Sequence, residues 1–191
     1  DQANDLAPDA GALFIFNRTG QTWSQQAYIK ASNAEAGDNL GGSLSLSNDG
    51  NTVVVSAVGE SSNAADAPAN NAAVAAGATY VFTRSGTTWT QQAYIKASNP
   101  SADDEFGNHI TLSGVGDTLA IGAMYEDSNA IGINGDEIDG SFVDSGAVYV
   151  FTRSGTAWAQ QAYLKASNTG AGDEFGGSLD LNSDGNILAI G

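Results

Sequence analysis

Four acids crowd one nine-residue stretch, Asp136, Glu137, Asp139 and Asp144 in DEIDGSFVD. Carboxylates at that density can surround a hard divalent cation if the loop folds back, or can point to water as a solvated loop. The opening DQANDLAPDAGA runs in step with DEIDGSFVDSGA at 136–147, so Asp1 and Asp9 echo Asp136 and Asp144. The chain thus opens inside a loop of this kind, as an excised or processed piece would. A second acidic pattern, Asp38, Asp104 with Glu105, and Asp173 with Glu174, stands just before Leu40-Gly41, Phe106-Gly107 and Phe175-Gly176. Its recurrence suggests carboxylates that accept backbone amides at a turn. For catalysis the inventory is poor. There is no cysteine, and the single histidine, His109, takes the place of Ser43 and Ser178 at a strand edge. No pair of carboxylates is singled out for glycoside hydrolysis. Trp23, Trp89 and Trp158 could stack on sugar rings, but strict repetition at strand positions makes them packing residues first.

The 191 residues are enough for one ordinary domain, and 41% hydrophobic composition fits a folded globular chain. The 22 acids against 6 bases give a net charge of −16. That balance speaks against nucleic-acid or anionic-membrane binding, which needs basic patches. No apolar run is long enough to insert into a membrane, and no signal-peptide pattern is present. Arg18, Lys30, Arg84, Lys96, Arg153 and Lys165 all lie within three segments that contain no acid. From that segregation, neighbouring modules are expected to attract through oppositely charged faces, at about 0–1 kcal/mol per surface pair.

These segments are one repeated unit: GALFIFNRTGQTWSQQAYIKAS at 11–32, GATYVFTRSGTTWTQQAYIKAS at 77–98 and GAVYVFTRSGTAWAQQAYLKAS at 146–167. The last two differ only at Thr79/Val148, Thr88/Ala157, Thr90/Ala159 and Ile95/Leu164. The tryptophans recur at spacings of 66 and 69 residues, a period that holds several strands and is too long for one solenoid coil. Within each unit a β-branched and aromatic run (Leu13 to Phe16, Thr79 to Phe82, Val148 to Phe151) turns at a glycine. It returns as a strand in which period two places Trp23, Ala27 and Ile29 on one side, with Tyr28 and Lys30 on the other. A second hairpin follows. Leu44 and Leu46, Ile110 and Leu112, and Leu179 and Leu181 alternate with polar residues as half-buried strands do. Their partners, Val53 to Val55, Leu119 to Ile121 and Ile187 to Ile190, are continuously apolar, as suits strands covered on both faces. Ser61 to Ala76 and Asn129 to Ser145, rich in Ala, Asn, Gly and Asp, read as surface loops, where binding usually resides.

The ordered motifs Phe106-Gly107 and Phe175-Gly176, with Leu40-Gly41 as a weaker copy, the Gly122-Ala123 ending, with Ser56-Ala57 as its counterpart, and the GAVYVF strand resemble the FG-GAP repeats of integrin-α-like β-propellers, in the form found in bacterial surface and secreted proteins. The resemblance spans essentially the whole chain. It implies an all-β fold of four-stranded antiparallel propeller blades, about three blades' worth. An outer hairpin lies at 11–32, blades at about 38–98 and 104–167, and an inner hairpin at 173–191. Propellers have 4 to 8 blades, so the piece belongs to a longer propeller or is completed by other copies. The resemblance also raises calcium, through the family's acidic turn between inner strands. Asp180, Asn182, Asp184 and Gly185 match its opening, while its closing acid is missing, and a plain Asp-Gly hairpin turn is the alternative. The counterparts Ser45, Ser47 and Asp49, and Thr111, Ser113 and Val115, are more degraded. The expected function is a non-enzymatic, extracellular or cell-surface adhesion and assembly module, joining copies of itself, neighbouring repeats, or an extracellular protein or glycan partner. Calcium assistance is possible in chemical terms. A carbohydrate-binding module is the alternative, ahead of a polysaccharide-cleaving enzyme.

Overall fold

The computed structural model describes residues 6–191; Asp1, echo of Asp136, lies outside them. The described residues form twelve strands and no helix. A leading hairpin joins β1 (Leu13–Thr19) to β2 (Thr22–Ile29). The first full blade is β3 (Leu40–Leu46), β4 (Thr52–Ala57), β5 (Ala78–Ser85) and β6 (Thr88–Ile95), in that spatial order. The second is β7 (Ile110–Leu112), β8 (Thr118–Ala123), β9 (Ala147–Ser154) and β10 (Ala157–Leu164). A trailing hairpin pairs β11 (Leu179–Leu181) with β12 (Leu188–Ile190). All pairing within these sheets is antiparallel, and the array does not close into a ring. The all-β, four-stranded-blade architecture expected from the repeat is therefore present.

Each outer hairpin turns on two residues, the first a glycine with φ of 63° (Gly20, Gly86, Gly155), a value that L side chains adopt only with strain. The return strands carry a feature the sequence reading missed. Phe16 faces Gln25 while Ile15 faces Ala27, so Gln26 is an extra, bulged residue; Gln92 and Gln161 repeat it. A bulge shifts the two-residue alternation by one. Trp23 therefore shares a face with Tyr28, not with Ala27 and Ile29 as strict alternation predicts. The first blade shows the result: Trp89 and Tyr94 pack on the side towards the leading hairpin, Ala93 and Ile95 on the side towards the second blade.

The hydrophobic core lies between blades. One layer joins Leu13 and Ala31 of the leading hairpin to Val53, Val55, Tyr80 and Phe82 of the first blade. The next joins Val54, Val81 and Ile95 to Phe106, Leu119, Tyr149 and Tyr163 of the second. A smaller one sets Ala120 and Val148 against Leu179. As expected of central strands, β4 is wholly buried and β8 nearly so. β12 departs from that expectation: it is only partly covered and Ile187 is exposed, because no further strand lies along its free edge. Both long connections are non-helical, as predicted. The second also straps the outer edge of its blade. Ile133 bridges Leu164, Asn134 N–H donates to Tyr163 O (2.8 Å) and Lys165 N–H to Gly132 O (2.8 Å), which shields strand edge that would otherwise invite pairing.

Candidate functional site

The same joint recurs between successive units of the array, its waist three times, beginning with Gly11 against Leu40, and its tryptophan clasp twice. At its waist the Gly-Ala start of one outer strand lies against the backbone of the next blade's Phe-Gly turn. A Cβ on Gly77 would fall 2.2 Å from Phe106 O, and one on Gly146 2.2 Å from Phe175 O. The segments run side by side: Glu105 and Phe106 N–H donate to Ala75 and Ala76 O (3.1 and 3.0 Å), and Glu174 and Phe175 N–H to Asp144 and Ser145 O (3.0 and 3.1 Å). Farther out, Trp89 Nε1 donates across the joint to the carboxamide oxygen of bulged Gln26 (3.0 Å), and Trp158 Nε1 to that of Gln92 (3.3 Å). The preceding glutamine reaches the other way, Gln91 Nε2 to Ser32 Oγ and Gln160 Nε2 to Ser98 Oγ, both 3.0 Å. The Gln-Gln dipeptide is thus a two-way clasp, with the bulge aiming one amide forward and one back. Each tryptophan also carries the arginine opposite it in the hairpin, guanidinium 5.6–5.9 Å from the ring centroid.

Beside this clasp lies a buried charge pair that the sequence reading did not find. Lys96 Nζ meets Glu60 (3.0 Å) and Lys165 Nζ meets Glu126 (2.8 Å), all four side chains almost fully buried. The expected attraction between exposed basic and acidic faces is therefore corrected for these lysines, whose partner acid lies inside their own blade. Burial pulls both lysines below the ordinary ammonium range, and the glutamate opposes that shift. Each glutamate also ties in the preceding blade. Asn99 donates to Glu126 (3.0 Å) and accepts from the Tyr149 hydroxyl (2.5 Å), while Asn33 accepts from Tyr80 (2.8 Å). The signal was legible: Glu60 and Glu126 stand at the same offset after Ala57 and Ala123.

The acids before each Phe-Gly position accept backbone amides, as their recurrence predicted: Asp38 from Glu35, Asp104 from Ser101 and Asp173 from Gly170, at 2.7–2.9 Å. Burial, reinforced by nearby Glu126 and Asp127, pushes Asp104 up to about 7. The predicted cation residues are arranged otherwise. Asp136 Oδ1 accepts from Ile138 N–H (3.0 Å), Asp139 Oδ1 from Ser141 N–H (2.8 Å), and Glu137 from the Ser98 hydroxyl. Asp144 sits at φ 55°, like its counterparts Asp9 (57°) and Ala75 (52°), and its N–H donates to Asp127. Glu137 and Asp139 do share a recess of about 60 Å³ with Asp104 and Glu126. The Asn182 carboxamide oxygen closes its own turn by accepting from Asn186 and Ile187 N–H (2.8 and 2.9 Å), with exposed Asp180 and Asp184 beside it. Among the described residues, no three acidic or histidine side chains form a group fit to hold a metal ion. His109 is half-buried in the approach to β7, and its carbonyl accepts from Gly122 N–H (2.8 Å).

The remaining feature is an open face. On the side of the leading hairpin away from the first blade, Phe14, Phe16 and Trp23 are 48%, 52% and 64% exposed. Their counterparts Tyr80 and Phe82 are 0% and 2% exposed inside a joint. Next to Phe14 and Phe16, Leu44 and Leu46 of β3 are also half exposed, and these four, with Trp89 of the first blade, line a groove of about 320 Å³.

Antiparallel four-stranded sheets stacked face to face through a repeated Gly-Ala/Phe-Gly waist define a β-propeller-type repeat module. The sequence profile of the FG-GAP repeat family matches residues 23–82 and 89–151, and the chain belongs to that family. No curated protein matches it significantly.

Proposed function

We propose that this is a non-enzymatic adhesion and assembly module of an extracellular or cell-surface protein, and that it acts by having its incomplete blades completed by neighbouring repeats, by copies of itself or by an extracellular partner. The carrying observation is the bare aromatic face of the leading hairpin beside the unpaired edge of β1. Burying a large apolar side chain contributes roughly 1.5–3 kcal/mol, and five such residues here are about half exposed. That alone only approaches the ~4–15 kcal/mol cost of association, so a strand ladder must form with it. Light scattering across a concentration series tests this, with calcium and then with chelator. Particle mass should rise above one chain. Loss of assembly on chelation would bring calcium and the acidic loops into the joint, and a single-chain mass at every concentration would remove the proposal. The exposed Trp23 ring also favours a second reading, stacking on sugar rings, which a glycan array with no bound species would remove.

A further inference from the structure

We infer that the outer edge of the first blade, at Tyr94 to Lys96, receives an extended peptide of a partner protein as an added strand, with one apolar side chain of that peptide seated in the groove between the two full blades. The site lies inside the array and does not depend on how any blade is completed.

The second blade shows such a strand in place. There the chain's own segment 132–134 lies antiparallel to β10, with Ile133 opposite Leu164. Asn134 N–H donates to Tyr163 O and Lys165 N–H to Gly132 O, and the Asn134 carboxamide oxygen accepts from Tyr163 N–H (2.9 Å). The first blade lacks this segment. SSNA at 61–64 corresponds to DSNA at 127–130, and Asn33 and Asn99 donate alike to Pro68 O and Glu137 O. Between those marks the first loop has only Ala65, Asp66 and Ala67 where the second has IGINGD at 131–136. The short loop turns back on itself, with Ser62 Oγ on the Ala64 and Ala67 carbonyls (both 2.9 Å). Tyr94 N–H, Tyr94 O and Lys96 N–H, the groups equivalent to those the strap takes, therefore find no partner among the described residues. A free strand edge of this kind accepts an extended chain through its main-chain groups.

The same edge borders a groove of about 300 Å³, walled by Ala93 and Ile95 of β6 and by Phe151, Ala157 and Trp158 of the second blade. The groove continues outward the core layer to which Ile95 and Phe151 belong. In the strap's register the residue opposite Ile95 shares its face of the sheet, and pairs of this type bring side chains closest. Ile95 faces the second blade, so that residue enters the groove. The partner is thus an extended segment with a large apolar residue followed by asparagine. Burial of the apolar side chain supplies affinity, while the ladder and the Asn carboxamide on Tyr94 N–H fix the register.

A capped, fluorescently labelled peptide copying residues 130–137, AIGINGDE, is the probe. Anisotropy should show saturable binding at or below millimolar peptide. In the complex, hydrogen exchange at the Tyr94 and Lys96 amides should slow several-fold, while the Tyr163 and Lys165 amides, already bonded, stay unchanged. Replacing residues 65–67 by the sequence of 131–136 gives the first blade a strap of its own and should abolish binding. Ala157→Lys, at an exposed residue of the groove, should weaken it about tenfold, as should aspartate in place of the peptide's second isoleucine. Binding that neither protein variant weakens, or that leaves the Tyr94 and Lys96 amides unprotected, would overturn the site. So would the absence of binding to the unchanged chain at millimolar peptide.

Discussion

The joint between the two full blades and the face of the leading hairpin are built from the same repeated residues, yet one is sealed and the other bare. In the sealed joint Tyr149 is fully buried against Phe106, rings 5.3 Å apart, and its hydroxyl reaches Asn99. On the bare face Phe14 packs against Tyr28 of its own hairpin, ring centroids 5.1 Å apart, and stays 48% exposed. A blade in this architecture is therefore not a self-sufficient layer: its aromatic side is completed by the blade before it, and the core exists only where two blades meet.

This contrast predicts graded responses. The largest belongs to the waist. Gly77→Ala would force a Cβ to within 2.2 Å of the Phe106 carbonyl in a φ of 80°, and should cost several kcal/mol by chemical denaturation. Gly20→Ala, at φ 63° but in open space, should cost only about 1 kcal/mol. Next comes the buried pair. Glu126→Gln leaves the Lys165 ammonium unpaired and should cost about 3–5 kcal/mol, while replacing both with Leu and Met should recover most of the loss.

A smaller effect separates the two faces directly. Trp158→Phe loses the Gln92 bond and part of the Arg153 contact, and should cost about 1–2 kcal/mol. Trp23→Phe, the same change on the bare face, should leave the dilute single chain within about 0.5 kcal/mol of its parent. The gentlest probe is pH. Asp104 is raised from an ordinary 3.8 to about 7, so the folded state holds that proton more tightly than the unfolded chain. Its contribution is fully present below about 4 and is lost as pH rises through 7. Asp104→Asn should flatten the fall in stability between pH 5 and 8, measured by denaturant midpoints.

Much of this was legible in the sequence, because a repeat read three times fixes what single residues leave open. The apolar runs, the glycine turns and the Phe-Gly motifs give blades directly, and Asp38, Asp104 and Asp173 were placed at their turns by recurrence alone. The facing of Trp23 was not legible. Alternation carries no mark of an extra residue, and only the register of Phe16 with Gln25 reveals that Gln26 is bulged. The partner of Lys96 left a fainter mark: Glu60 and Glu126 recur at one offset after Ala57 and Ala123, but nothing in that recurrence ties Glu60 to a lysine 36 positions away. The contacts of the acidic loop were not legible for a related reason: sequence density of carboxylates says nothing about whether each is satisfied by a neighbouring amide, as Asp136 and Asp139 are.

The central claim of the proposed function is that the bare edge of β1 joins a strand ladder when the module assembles. Hydrogen exchange at the amides of β1, compared at concentrations well below and well above the onset of assembly, tests it most directly. The account predicts that β1 gains protection while β4 and β8, already sealed, do not change. No gain on that edge once the particle has grown would contradict it.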